Sequence, residues 1–170
     1  MKITMSDAAA REIAGTIVVG IDGSPQSRRA LRWALREARF RRAAVCALHA
    51  WEYPYIAASY TGDQVLEAEV LDRARAASAA LIASEIGSLG PAADGVAIEQ
   101  FVTEGPAASA LLDAAEDAEI VVLGARGNGG YPGLPLGSVS DEVVRYARCP
   151  VVVVPTESID QEEVGDVAVV

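Results

Sequence analysis

The chain has one lysine (Lys2), one histidine (His49) and two cysteines (Cys46 and Cys149) in 170 residues. Each scarcity removes a class of chemistry. With its lysine confined to the second position, the chain has no Gly-x-x-x-x-Gly-Lys phosphate loop. A single histidine, with no serine and carboxylate in a recognisable relay, leaves nucleophilic catalysis without visible apparatus. At the end of an apolar strand, His49 reads as a packed or hydrogen-bonded structural residue. The cysteines are far apart, with no Cys-x-x-Cys and no histidine cluster, and read as reduced thiols in or beside strands. No apolar run approaches the length of a membrane span, and residues 1–7 carry no hydrophobic leader core. A cytoplasmic protein without a membrane partner is expected. The net charge of −10 argues against non-specific nucleic-acid binding.

What is present is apolar and regularly punctuated. Half of the chain is hydrophobic, enough for one domain with a real core. Residues 1–15 show no strong pattern and read as an N-terminal extension, 16–155 as the domain, and 156–170 as an acidic tail. Continuous apolar runs of strand length fall at 16–21, 45–50, 120–124 and 150–155, with a less regular one at 96–103. Between them lie helical patterns at 25–41, 63–88, 105–118 and 138–148. In the first, Ser24 and Pro25 supply a start signal, and Ala30, Leu31, Ala34, Leu35 and Ala38 form the apolar stripe. In the second, Leu66, Val70, Ala74, Ala77 and Leu81 share a face, with Leu71, Ile82 and Ile86 beside it. Strict alternation of strand and helix requires crossovers, and right-handed crossovers build an open, doubly wound parallel sheet with helices on both faces. Near-continuous apolar strands, rather than alternating ones, fit burial on both sides. The strand order is not visible in the pattern.

In such a sheet, ligands bind beyond the carboxyl ends of the strands. Three of the loops there carry polar or permissive chemistry. Asp22-Gly23-Ser24 follows the first strand, and Asp22 suits either a ribose or base, or a local Asx-turn. Ala50-Trp51 follows the second. After the fourth comes the glycine-crowded segment 124–138, with six glycines and two prolines leading into a helix. A strand, a glycine-rich loop and a helix N-terminus make an anion site, because main-chain N–H groups approach the ligand and the helix end adds unpaired donors. Ser138 can donate to a phosphate, or cap its own helix through Ser138-Val139-Ser140-Asp141. Arg126 offers a cation nearby.

The spacing Gly124-x2-Gly127-x9-Gly137-Ser138 resembles the ATP-binding signature of the universal stress protein family. Val18-Val19-Gly20-Ile21-Asp22-Gly23-Ser24, Leu48-His49-Ala50, Val102-x-Glu104-Gly105-Pro106 and Cys149-Pro150-Val151-Val152-Val153-Val154-Pro155 resemble its other segments, together covering about residues 16–155. The resemblance implies an adenine nucleotide alpha hydrolase-like fold with strand order 3-2-1-4-5. It also implies an ATP site at Gly20, Ile21, Asp22, Ala50, Leu123, Gly124, Arg126, Gly127, Gly137, Ser138, Val139 and Ser140. Mg²⁺ or Mn²⁺ would accompany the nucleotide, though no carboxylate of the motif stands out as its ligand. A homodimer through the fifth strand, Val151–Val154, is implied as well.

The function expected is a nucleotide-dependent regulator of the stress response, read by an unidentified protein partner. One alternative is a slow ATPase, or an enzyme that phosphorylates itself on Ser138 or Ser140. Another is an interaction module without nucleotide. In that reading the arginines at 28, 29, 32, 36, 39, 41 and 42 bind an acidic partner or the chain's own tail, where Glu157, Asp160, Glu162, Glu163 and Asp166 stand without a basic residue. A solvated helix face with scattered ion pairs accounts for the same arginines.

Overall fold

A computed structural model describes residues 15–52, 64–128 and 135–155. Five strands, β1 (Thr16–Gly20), β2 (Ala44–Trp51), β3 (Ile98–Glu104), β4 (Ile120–Gly124) and β5 (Val151–Val154), form one sheet in the order β3-β2-β1-β4-β5. Every neighbouring pair is parallel. The helices are α1 (Pro25–Arg41), α2 (Gln64–Gly87), α3 (Ala107–Ala115) and α4 (Ser138–Tyr146), with a 3₁₀ turn at Gly90–Ala93.

The register explains why β1, β2 and β4 are almost continuously apolar. Ile17 pairs with Val45 and Ile120, and Val18 with Cys46 and Val121. Successive side chains point to opposite faces, so each row of the sheet feeds a different core. Ile17, Val19, Val45, Ala47, Ile120 and Val122 pack with Leu31 and Leu35 of α1 and Ile82 of α2. Val18, Cys46, Leu48, Val121 and Leu123 pack with Leu111 of α3 and Val143 of α4 on the other side. Each fully buried valine or leucine contributes about 1.5–3 kcal/mol relative to exposure, so a polar residue at any of these positions would be expensive.

Local chemistry fixes the helix ends. The Ser24 hydroxyl accepts from the Ser27 amide at 3.0 Å, and Pro25 supplies the helical φ at the first position. α1 closes on Arg42, a non-glycine residue in the left-handed region (φ 56°) whose N–H reaches back to Ala38 and Arg39. The expected stripe of α1 is buried throughout.

Several expected boundaries shift. β3 begins at Ile98 rather than 96, because its pairing with β2 starts at Val45↔Ile98. α3 stops at Ala115 rather than 118, where Glu116 N–H turns back to Asp113. α4 stops at Tyr146 rather than 148, since Ala147 is already extended (ψ 144°) ahead of Pro150. Among the described side chains of α2, from 69 onward, the buried ones are Ser78, Ile82 and Glu85, and Ala77 is exposed; the expected Leu66 lies outside them. That helix is so rich in alanine that periodicity defines its inner face poorly, and the Arg28–Glu85 ion pair at 2.7 Å helps to set its rotation. The expected start at Asp63, the extension before Gly15, the acidic tail 156–170 and the loop centre 129–134 lie outside the described residues.

Candidate functional site

The sheet order reverses between β1 and β4, since β1 is followed through the sheet by β2 on one side and β4 on the other. At that point the loops after β1 and β4 diverge over the carboxyl end of the sheet and leave a crevice of about 270 Å³. The volume lies near the lower end of the roughly 300–1,000 Å³ usual for small-molecule sites.

The first wall is the β1–α1 turn. Gly23 takes φ 78°, which folds the chain back so that the Ser24 amide donates to Asp22 Oδ1 at 3.0 Å. His49 Nδ1–H donates to the carbonyl of Ile21 at 2.6 Å and pins the same turn from β2; the carbonyl can only accept, so this nitrogen carries the proton. The second wall is the segment after β4. Its Asn128 amide donates to Asp22 Oδ2 at 3.0 Å, and Asn128 Nδ2 donates to the Asp22 carbonyl at 2.7 Å. Asp22 thus forms the Asx-turn and also clasps the opposite wall, 106 positions away in sequence. Burial raises the Asp22 carboxyl, but hydrogen bonds from Ser24, the Asn128 amide and Ser27 outweigh it and hold the group below its ordinary value.

Two glycines are required by close approach. A Cβ at Gly127 would be driven into Asp22 Oδ2, and one at Gly124 would stand 2.7 Å from Gln26 Cβ and 3.0 Å from its main-chain carbon. Gly137 is different: its nearest neighbours would lie at 3.6 Å, an ordinary contact.

Of the two roles open to Ser138, the structure excludes the cap of α4. Gly137, extended at φ −79° and ψ 166°, is the N-cap; Ser138 is the first helical residue and no side chain caps the end. The reason lies in Ala125. Its N–H donates to the Val154 carbonyl at 2.8 Å, and its carbonyl accepts from the Gly137 amide at 2.8 Å and from the buried Ser140 hydroxyl at 2.7 Å. This knot places Gly137 at the cap and uses the Ser140 hydroxyl inside the chain. The helix begins with Asp141 N–H bonded to the Gly137 carbonyl, so the amides of Ser138, Val139 and Ser140 have no intrahelical acceptor. They and the exposed Ser138 hydroxyl remain for an anion. Arg126 lines the crevice with its Nε buried and without a partner among the described residues.

Every residue named from the resemblance lines this one crevice: Gly20, Ile21, Asp22, Ala50, Leu123, Gly124, Arg126, Gly127, Gly137, Ser138, Val139 and Ser140. Sequence reasoning did not assign Ser27, Leu48, His49, Ala107, Leu111 or Asn128, which line it too. Leu48 and Leu111 are apolar core residues whose ends reach the cavity floor, and nothing in their spacing marks them. Asn128 stands inside the glycine motif, where an asparagine beside glycines was the available signal.

The family model described as the universal stress protein family matches residues 14–155. The chain belongs to that family. Universal stress protein Rv2623 of Mycobacterium tuberculosis (strain ATCC 25618 / H37Rv) is 34% identical over 143 residues, which cover 81% of this chain and 44% of that protein. The chain therefore spans less than half the length of that curated universal stress protein. Among solved structures, universal stress protein UspA from Lactobacillus plantarum shares the fold with a TM-score of 0.66 at 22% identity, over 84% of this chain and 98% of that one. A universal stress protein in complex with cAMP has a TM-score of 0.57 at 27% identity, over 82% of this chain and 95% of that one. The expected adenine nucleotide alpha hydrolase-like arrangement with order 3-2-1-4-5 is present in this universal stress protein.

Proposed function

We propose that the crevice binds an adenine nucleotide, with ATP as the physiological ligand, and that the protein acts as a nucleotide-dependent regulator in the stress response. The observation that carries this reading is the uncapped start of α4, whose free amides at Ser138 and Val139 face the same crevice as Asp22. In this reading Asp22 and the main chain near Ala50 hold the adenosine part. Leu123 and Gly124 form the pocket wall, Gly127 lets the main chain approach the phosphates, and Gly137, Ser138 and Val139 receive them. Arg126 supplies a cation whose Nε awaits an acceptor. The related protein in complex with cAMP supports an adenine nucleotide here. A Mg²⁺ or Mn²⁺ ion would be held largely by phosphate oxygens and water, since Asp22 is the one carboxylate among the described lining residues.

A regulator fits the site better than an enzyme. His49 Nδ1 is committed to Ile21, and the Ser140 hydroxyl is buried against Ala125. Phosphoryl transfer depends on positioned charge and an oriented nucleophile, and the described residues arrange neither around Ser138. β5 closes the sheet as an apolar edge strand, which favours a homodimer paired through Val151–Val154. The reading places the protein in the cytoplasm, where a protein partner would read the bound state.

Acid extraction of the purified protein followed by nucleotide chromatography, together with ATP, ADP and AMP titrations, tests the proposal. Co-purifying adenine nucleotide, or micromolar affinity that falls in Ser138→Ala, supports it. No bound nucleotide and no affinity tighter than millimolar would sink it.

A further inference from the structure

One charged surface of the fold is not used by the crevice. On α1, Arg28 is paired with Glu85, Arg41 with Glu37, and Arg39 donates to the carbonyls of Ala92 and Asp94. Arg32 and Arg36 are exposed and make no ion pair or hydrogen bond with any described residue. They share one helix face with Arg29 and Trp33, at positions i, i+3, i+4 and i+7 from Arg29. Phe40 continues that face at i+11 and is 87% exposed.

Arg29 shows where the chain goes next. Its Nη2 donates to the carbonyl of Pro155 at 2.9 Å. Pro155 is the last described residue, so the chain leaves β5 beside the first turns of this face. The sequence that follows, 156–170, holds five acidic side chains, no basic residue, and the apolar residues Ile159, Val164, Val167, Val169 and Val170. From Arg29 to Phe40 the helix rises roughly 16 Å, a distance that about five extended residues cover. The segment is long enough to pass along the whole face.

We propose that residues 156–170 dock back along α1, with their carboxylates on Arg32 and Arg36 and their valines over Phe40. Tethering favours the chain's own segment over an outside partner, because attachment at Pro155 holds it at high effective concentration. The net charge of −10 further disfavours an outside polyanion. Exposed ion pairs are individually weak and screened by salt, so the docking depends on several acting together and weakens as ionic strength rises.

Zero-length carbodiimide coupling on the full chain tests this, with Arg32→Lys and Arg36→Lys each introducing one amine while keeping the charge. Arg41→Lys serves as the internal standard, because Glu37 lies 2.6 Å from the Arg41 guanidinium. Mixed ¹⁴N and ¹⁵N chains separate links within one chain from links between chains. The expected result is an intrachain amide from position 32 or 36 to a carboxylate of 157–166, reduced at least about fivefold in about 0.5 M salt. If the standard forms while positions 32 and 36 link to nothing, to another part of the domain, or only to a second chain, the proposal is overturned.

Discussion

Gly124→Ala tests whether the crevice is built on contact between β4 and α1. The added Cβ would lie 2.7 Å from Gln26 Cβ, 3.0 Å from Gln26 C and 3.1 Å from Arg126 O. Relaxed carbon–carbon contacts are about 3.5–4.0 Å, so the two elements must separate by roughly 1 Å. None of these neighbours is the flexible end of a side chain, and α1 cannot slide freely because Ser24 caps it and Leu31 and Leu35 are buried. Overpacking of this kind costs about 1–3 kcal/mol, offset by about 0.5–1 kcal/mol because alanine loses less backbone freedom than glycine. A net destabilisation of about 1.3 kcal/mol is expected at the centre of these ranges, or roughly 2–5 °C in Tm for a chain of this size. Gly137→Ser is the opposing control. Its Cβ meets only ordinary contacts at 3.6 Å, and a serine at an extended N-cap gains a few tenths of a kcal/mol, so the free protein should be as stable as wild type or slightly more so. Urea unfolding of both variants, followed by ATP titration, reads the two effects separately. Wild-type stability in Gly124→Ala, or equal losses in both variants, would refute the steric argument. Unchanged ATP affinity in Gly137→Ser would remove the start of α4 from the ligand.

Asp22 titrates below its ordinary value of 3.8, so its contribution is complete above that value and is lost as pH falls through the folded one. Asp22→Asn should therefore flatten the acid limb of the stability curve below about pH 4, and parallel limbs in wild type and variant would count against the clasp. Arg42 holds φ 56° at the end of α1; Arg42→Gly relieves that strain and should raise stability by about 0.5–1 kcal/mol in urea unfolding. A loss there would mean that the arginine side chain matters more than the backbone. Burial, aided by Glu99, pushes the Cys46 thiol up to about 11, so iodoacetamide at pH 8 should label the half-buried Cys149 first and Cys46 only on unfolding. Equal labelling rates in the native protein would contradict the packed position of Cys46.

The parts legible in the sequence are those governed by local rules. Apolar runs between helical patterns gave the alternation, and Ser24-Pro25 marked the start of α1 within a residue. Glycines at 124 and 127 announced a close approach, although their partners, Gln26 and Asp22, are set by the adjacency of β1 and β4 rather than by neighbours in the chain. Asn128 escaped notice for the same reason. A polar residue among glycines has no periodicity, and its role exists only once a carboxylate 106 positions earlier arrives beside it. The two roles of Ser138 could not be separated in the sequence because a capping box describes a helix in isolation. Here tertiary bonds to Ala125 choose Gly137 and withdraw the Ser140 hydroxyl. The inner face of α2 was obscured by alanine, which suits either side of a helix, until Arg28 and Glu85 chose between them.

The knot at Ala125 has a thermodynamic consequence. One residue bonds outward to Val154 at the end of the edge strand and inward to the cap of α4, so the sheet edge and the anion end of the crevice are joined through the two peptide groups that flank a single Cα. If a second chain pairs with β5 and shifts Val154, the free energy of that pairing is felt where the phosphates would lie. Reciprocity then requires that ligand occupancy change the self-association constant by the same factor as self-association changes ligand affinity. Titrations at protein concentrations below and above the dimerisation midpoint would give two different affinities, and their ratio would measure how stiffly Ala125 transmits the load.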